Sequence, residues 1–224
     1  MVHLPRSKRK ESIIANMAKA IKQNLFVFYG TEDFLIDMEI ETLITKLKKQ
    51  GDSLSIQRFT EEKPLLNDII QAISTVDMFS PRKLLIIAAG GLLSSSNKKV
   101  GSEDSDADAP ASDAGDIEQL IQVLDQSPSE VIVILKAKTI DLRKKFGKWL
   151  KANTQLRELN AFKPWEADKV EDWVRGRFST IGYSPKSGVV ELFVETIGTN
   201  LRMLAQELEK LVVYKGEDKN ITRQ

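Results

Sequence analysis

The sequence contains no cysteine and only one histidine, His3, among its 224 residues. Without cysteine the chain has no disulfide bond, no thiolate nucleophile and no thiolate-bound zinc. Because the single histidine lies in a basic N-terminal tail, no histidine is placed to serve a Ser-His-Asp triad, a zinc site or general-base catalysis. Catalysis by carboxylates alone or by lysine stays possible.

Long hydrophobic runs and a large net charge are also missing. No apolar run approaches the roughly 20 residues that span a bilayer, and the basic start of the chain lacks the apolar core and cleavage site of a signal peptide. The formal net charge is +1, so any charge argument must be local. The 42% hydrophobic and 29% charged content is ordinary for a globular protein. We expect a cytoplasmic protein with no membrane partner.

Residues 25 to 160 alternate between strand and helix patterns. The predicted strands are Leu25–Tyr29, Leu54–Phe59, Leu84–Ala89, Val131–Leu135 and Gln155–Leu159, and the predicted helices are Thr31–Gly51, Pro64–Ser74, Asp116–Leu124 and Ile140–Lys151. Strict alternation predicts an α/β domain with a parallel five-stranded sheet, helices on both faces and right-handed crossovers. The first, third and fourth strands are apolar runs, which favours the middle of the sheet. The second strand alternates apolar and polar residues, as an edge strand does.

Two other segments belong to the same predicted domain, residues 1–162. Residues Ser12 to Lys22 have the apolar spacing of an amphipathic helix. Residues 91–115 are small, polar and increasingly acidic, and they bury too little apolar surface to offset chain entropy. We therefore predict a disordered insertion at 91–115.

From Pro164 onward the pattern is helical, with no further strand predicted. Apolar spacing indicates three helices: one ending at Gly182, one opened by Ser184-Pro185 and one capped by Asn200. We predict a second, small three-helix domain at 163–224. The last residues, from Ile221, have the character of a new element, so we expect the chain to stop before a further domain.

The turn after the first strand is where an α/β protein would hold a nucleotide phosphate. It reads Gly30-Thr-Glu-Asp-Phe-Leu-Ile-Asp37, with one glycine and no lysine, unlike a phosphate loop. Thr31 is the candidate N-cap, and Glu32 and Asp33 suit the helix dipole better than they suit a phosphate. We expect no catalytic residue, no cofactor and no metal ion in this chain.

Between the helix at 64–74 and the strand at 84–89 lies the segment Asp77-Met-Phe-Ser-Pro-Arg82. Ser-Pro-Arg is turn chemistry, which places the segment at the surface. Met78 and Phe79 are therefore two large apolar residues on a helix-to-strand corner. Such a pair either returns to the core or is offered to a partner, and local sequence leaves both readings open.

Basic residues concentrate between positions 136 and 151, with two aromatic residues among them. They are Lys136, Lys138, Arg143, Lys144, Lys145, Lys148 and Lys151, with Phe146 and Trp149. A solvated helix face explains this run. The alternative is a nucleic-acid-binding module that follows a phosphate backbone, and we take Lys144, Lys145 and Lys148 as its candidate DNA-facing residues.

Three stretches, in this order along the chain, resemble one known family. They are Phe28-Tyr-Gly-Thr-Glu-Asp-Phe-Leu35, then Met78-Phe-Ser-x-Arg-Lys-Leu84, and Leu201-x-x-Leu-x-x-Glu-Leu-Glu-Lys-Leu211 followed by Tyr214-x-Gly216 and Ile221-Thr222. Together with the missing phosphate loop, they resemble the delta subunits of the bacterial DNA polymerase III clamp loader. The resemblance implies an AAA+-like α/β domain followed by a three-helix lid domain. The lack of cysteine separates the chain from the sister loader subunits that carry a Ser-Arg-Cys motif.

The resemblance also implies a function in DNA replication. Family members open the ring-shaped sliding clamp, the beta subunit, by inserting an apolar pair into a pocket on it. By position that pair is Met78 and Phe79, with flanking contacts from Ser74, Thr75 and Arg82. The chain would be non-catalytic within the polymerase holoenzyme, a nucleotidyltransferase complex, and would need no cofactor. DNA would be contacted weakly or within the complex, and the other clamp-loader subunits would bind a C-terminal collar domain that this sequence does not include.

Overall fold

A computed structural model of the chain describes residues 22, 24–49, 51, 53–61, 64–75, 82–93, 114–163, 165–216 and 218–222. The chain divides into two compact units, with the division between Leu159 and Asn160. The predicted N-terminal helix, apart from Lys22, lies outside the described residues. So do Met78, Phe79 and most of the predicted insertion at 91–115. None of the helices in the described part of the chain has the length and apolar character that a bilayer crossing requires.

The first unit is a parallel sheet with helices on both faces, as predicted. Its elements are β1 (Leu25–Tyr29), α1 (Asp33–Lys48), β2 (Leu54–Phe59), α2 (Leu66–Ser74), β3 (Arg82–Ala88), α3 (Gly90–Leu93), α4 (Ala114–Gln126), β4 (Val131–Ala137), α5 (Lys145–Asn153) and β5 (Gln155–Glu158). The strand order is β2-β3-β4-β1-β5, and every pairing is parallel. The three apolar strands occupy the middle and β2 lies at an edge, which confirms both predictions about strand position.

The two faces of the sheet bury separate sets of side chains. Along β4, Ile132 and Ile134 pack with the buried face of α1, whereas Val133 and Leu135 pack with α2, α4 and α5. Since successive residues of a strand point to opposite faces, a strand covered on both sides must be apolar throughout. This explains the continuous apolar runs in β3 and β4.

Gly30 marks a point where backbones come very close. It follows β1 with a φ of 143°, and a Cβ atom placed on it would lie 2.0 Å from the carbonyl oxygen of Leu159, just after β5. Gly30 N–H donates to Ala137 O at 3.1 Å, at the end of β4. Only glycine combines this positive φ with the absence of a side chain.

The second unit contains α6 (Ala167–Thr180), α7 (Val189–Ile197) and α8 (Leu201–Lys215), and a short strand pair joins the segment between α6 and α7 to the residues after α8. Buried side chains from all three helices form its interior, among them Val174, Phe178, Val190, Val194, Leu204 and Leu208. Tyr183 Oη donates to Gly216 O at 2.6 Å, which ties the end of α6 to the end of α8.

Two local predictions for this unit were wrong. Ser184–Pro185 does not open a helix. It forms strand β6, which pairs in parallel with β7 (Asn220–Ile221). Ser184 N–H donates to Lys219 O at 2.9 Å, and the missing N–H of Pro185 is tolerated in so short a strand. The expectation of no further strand after Pro164 fails for the same reason, and α7 instead begins after Gly188, which has a φ of 80°.

The caps of α8 are those predicted from the sequence, whereas the N-cap of α1 is a different residue from the predicted one. Asn200 Oδ1 accepts from Met203 N–H at 3.1 Å, and Gly216 ends α8, both as predicted. Thr31 is not the cap of α1. The helix begins at Asp33, and the side chain of Glu32 accepts from Phe34 N–H at 3.3 Å. Glu32 and Asp33 thus serve the helix end, where negative charge is favourable.

Replacing Gly30 by alanine should strongly destabilise the α/β unit. The new Cβ would overlap the backbone of Leu159 at a φ that other residues avoid, so we expect a loss of about 3 kcal/mol or more. Urea unfolding followed by circular dichroism measures this change. The control is Gly115→Ala, because Gly115 lies in α4 with open space around it. Equal stabilities of the two variants would contradict the role given to Gly30.

Candidate functional site

The predicted corner lies between the end of α2 and the start of β3. Helix α2 buries Ile69, Ala72 and Ile73 against the sheet, and Thr75 is its C-cap residue. Arg82 opens β3, where it lies opposite Leu54 of the edge strand. Residues 76–81, including Met78 and Phe79, lie outside the described residues. The structure therefore describes the residues on either side of the corner, at the end of α2 and at the start of β3.

Lys83 connects these two ends directly. Its Nζ donates to Ala72 O at 2.8 Å and to Thr75 Oγ1 at 3.2 Å. Its own backbone N–H donates to Glu130 O at 2.9 Å, just before β4. The side chain thus reaches from the rigid middle of the sheet to the last turn of α2.

The residues predicted to flank the clamp contact already have partners within the chain. Ser74 Oγ donates to Ile70 O at 2.8 Å. Thr75 Oγ1 donates to Ala72 O at 3.4 Å and accepts from Lys83. These hydroxyls shape the end of α2. Leu65, at the other end of the same helix, has an exposed fraction of 62%.

The basic segment separates into two groups. Lys144, Lys148 and Lys151 are exposed, and their spacing places them along one side of α5. Lys145 instead pairs with Glu118 of α4, and the hydrogen bond and charge of Lys145 lower the pKa of the Glu118 carboxyl. All three predicted DNA-facing residues are exposed, and Lys145 is engaged with a carboxylate.

Other parts of the basic run also have internal partners. Lys136 lies 3.5 Å from Asp37 of α1, and Arg143 lies 3.0 Å from Asp141, whose hydrogen bond and charge raise the pKa of the guanidinium. Phe146 is buried and stacks on Trp149 with ring centroids 6.3 Å apart. The aromatic residues thus serve the core, and Phe146 is unavailable for stacking on bases.

Three of the backbone N–H groups after β1 have acceptors within the chain. Gly30 N–H donates to Ala137 O, Glu32 N–H donates to Leu159 O at 3.1 Å, and Phe34 N–H donates to the Glu32 side chain. A phosphate loop leaves such groups pointing at the ligand. Within the described ranges, no group of three or more histidine or acidic residues is arranged to hold a metal ion. The site at the end of β1 is therefore a structural junction.

Lys83 is the residue that sequence reasoning overlooked as part of the site. In the sequence it is only one residue of the stretch that resembles the family, with no role assigned to it. A usable signal was present, because α2 has no basic residue in its last turn, and helix C-termini favour a nearby cation. The first long cationic side chains after the turn, Arg82 and Lys83, were the candidates to supply it.

Comparison with known proteins bears on the whole chain. The family model "DNA polymerase III, delta subunit" matches residues 26–160. The curated protein "Probable DNA polymerase III subunit delta" of Aquifex aeolicus is 24% identical over 211 residues, covering 91% of this chain and 54% of that protein. The chain thus spans about half the length of this curated relative.

A solved structure shares the fold. The Bacillus subtilis DNA clamp loader delta protein matches with a TM-score of 0.65 and 20% identity, covering 95% of this chain and 59% of that one. The family match covers more than half of the chain and includes the corner, nearly all of the sheet and the turn after β1. The chain therefore belongs to the delta-subunit family of the DNA polymerase III clamp loader.

Proposed function

We propose that this chain binds the sliding clamp through Met78 and Phe79 and thereby favours the open state of the ring. The observation that carries the proposal is the family match over residues 26–160, which includes this corner. Further support comes from the frame around it: α2 and β3 are well packed, and Lys83 joins their adjoining ends. A rigid frame that presents two apolar side chains suits an anchor for a partner pocket.

The proposed mechanism needs no covalent chemistry. Two apolar side chains enter a pocket on the clamp, and the chain shifts the ring toward opening only by its greater affinity for the open state. Phe79 is the stronger anchor, since an aromatic ring buries a large area while losing little rotamer entropy. A place of action in the cytoplasm, with the other clamp-loader subunits as partners, is part of the same proposal.

Control by ATP would come from those partner subunits. In this chain the amides after β1 are used by Ala137, Leu159 and Glu32, and Glu32 and Asp33 place negative charge where a phosphate would be. The proposed role of the chain is therefore to be the part of the loader that contacts the clamp.

A second candidate role is a DNA contact through α5. The exposed stripe of Lys144, Lys148 and Lys151 favours it, because lysines at this spacing present charge along one side of a helix. The pairing of Lys145 with Glu118 reduces the net positive charge that this segment offers to a phosphate backbone. We therefore propose a weak contact that acts within a larger assembly.

Removing the two anchors should abolish clamp binding. For Phe79→Ala we expect a loss of about 2–4 kcal/mol, and for Met78→Ala about 1 kcal/mol, because central aromatic anchors dominate such interfaces. Isothermal titration of each variant with the cognate clamp measures the loss. Leu65→Ala is the matched control, since Leu65 is an exposed apolar residue on the same helix, away from the corner. Full affinity in the Met78→Ala/Phe79→Ala double variant would refute the proposal.

Neutralising the α5 stripe should reduce the salt dependence of DNA binding. In Lys144→Gln/Lys148→Gln/Lys151→Gln the slope of log affinity against log salt should become shallower by about 2 to 3. Fluorescence anisotropy with a labelled duplex measures it. Neutralising Lys46, Lys48 and Lys49 at the end of α1 removes the same charge elsewhere and should leave the slope unchanged. A similar change in both triple variants would count against a site on α5.

The chain should not bind ATP. Addition of ATP with magnesium should leave the melting temperature unchanged, because only a ligand that binds the folded state raises it, by an amount that grows with the logarithm of ligand concentration over Kd. Removing the charge in Glu32→Gln/Asp33→Asn should not create binding, since Gly30 and Glu32 still donate to Ala137 and Leu159. A melting temperature that rises with ATP concentration in either protein would contradict the occupied-amide explanation.

A further inference from the structure

Lys83 is held firmly at its backbone and reaches outward at its tip. In the sheet it pairs with Ser55 on one side and Val131 on the other, and its N–H donates to Glu130 O. Strands on both sides therefore restrain the root of the side chain. The four methylene groups carry Nζ across to the last turn of α2.

At its tip, Nζ makes two contacts with the end of α2, and the shorter one, to Ala72 O, adds to the longer hydrogen bond from Thr75 Oγ1 to the same carbonyl. Ala72 O belongs to the last turn, whose carbonyls have no partner further along the helix. Helix α2 carries no basic residue in that turn, so the cation that a helix C-terminus favours comes from the neighbouring strand. The second contact, to Thr75 Oγ1, fixes the C-cap residue from which the corner departs.

We propose that Lys83 is a positioning residue for clamp binding, a latch that joins the two ends of the corner and so prepares Met78 and Phe79 for docking. The proposal rests on the proposed function. Thr75 and Lys83 are 8 positions apart, and the hydrogen bond between them closes that span. A short loop with fixed ends has fewer conformations to lose on binding, and such preorganisation raises affinity without adding a contact.

A purely structural role for Lys83 predicts something different, and the chain contains a matched control. Lys22 makes the same kind of contact at the end of α4, where its Nζ donates to Leu124 O at 2.8 Å and to Asp125 O. Helix α4 also lacks a basic residue in its last turn. Lys22 therefore contacts a helix C-terminus as Lys83 does. Its contact does not join the two sides of the segment that contains Met78 and Phe79.

The test compares Lys83→Met with Lys22→Met in the full chain, using both thermal unfolding and titration with the cognate clamp. Methionine keeps most of the length and apolar stem of lysine but removes the ammonium group. We expect both variants to melt at lower temperature, whereas only Lys83→Met should bind the clamp more weakly, by about tenfold. Lys22→Met should bind as the parent does.

A gentler substitution separates the latch from general damage to the fold. Thr75→Val keeps the side-chain shape but removes one of the two acceptors of Lys83 Nζ, together with the longer hydrogen bond from Thr75 Oγ1 to Ala72 O at 3.4 Å. Because the Lys83 contact with Ala72 O is retained, its effect on affinity should be smaller than that of Lys83→Met. In a Lys83→Met background, Thr75→Val should then have little further effect, because residues that act through one interaction are not additive.

The outcomes distinguish the latch from the function on which it rests. Loss of binding in Met78→Ala/Phe79→Ala together with parental binding in Lys83→Met would overturn the latch and leave clamp binding in place. Full binding in the double alanine variant would overturn both. Equal weakening by Lys83→Met and Lys22→Met, or additive effects of Thr75→Val and Lys83→Met, would show that stability alone is at work and would overturn the latch.

Discussion

The close approach of three backbones at the end of β1 is the constraint on which the rest of the α/β unit depends. Strand β1 lies between β4 and β5, and Gly30 touches both neighbours through Ala137 and Leu159 without room for a Cβ atom. This junction sets the start of α1, which alone among the described helices covers one face of the sheet. The same hydrogen bonds use the N–H groups of Gly30 and Glu32, which lie where a phosphate loop would present such groups to its ligand.

The residues on either side of the proposed clamp-binding corner lie at the end of α2 and at the start of β3. Parallel crossovers bring the C-terminus of α2 beside the N-terminal end of β3, and β3 is restrained on both sides by neighbouring strands. Lys83 converts this restraint into a contact with α2. A central strand thus supplies a fixed attachment for the last turn of α2, as expected of a scaffold that positions functional segments.

Prediction from sequence succeeded where the burial of a strand determines the pattern of apolar and polar residues along it. The apolar runs of β3 and β4 and the alternation in β2 reflect which faces are covered, and they indicated where the strands lie and which of them are in the middle or at an edge of the sheet. It failed where a local signal has two meanings. Ser-Pro at 184 is a good helix start, yet its partner is a strand near the end of the chain. Thr31 is a better general cap than Glu32, but the glutamate is the residue that reaches Phe34 N–H.

Sequence alone determined that the chain has no cysteine and a single histidine, and it determined the alternation of the α/β unit, because each follows from residue types or from their spacing. Met78 and Phe79 stay a prediction that comes from the family resemblance. The tertiary structure decided which charges and amides have partners. In the structure Lys145 pairs with Glu118, the N–H groups of Gly30 and Glu32 donate to carbonyls of distant residues, and Lys83 donates to Ala72 O. The physical reason is that these contacts join residues distant along the chain, and no local periodicity records which of them meet.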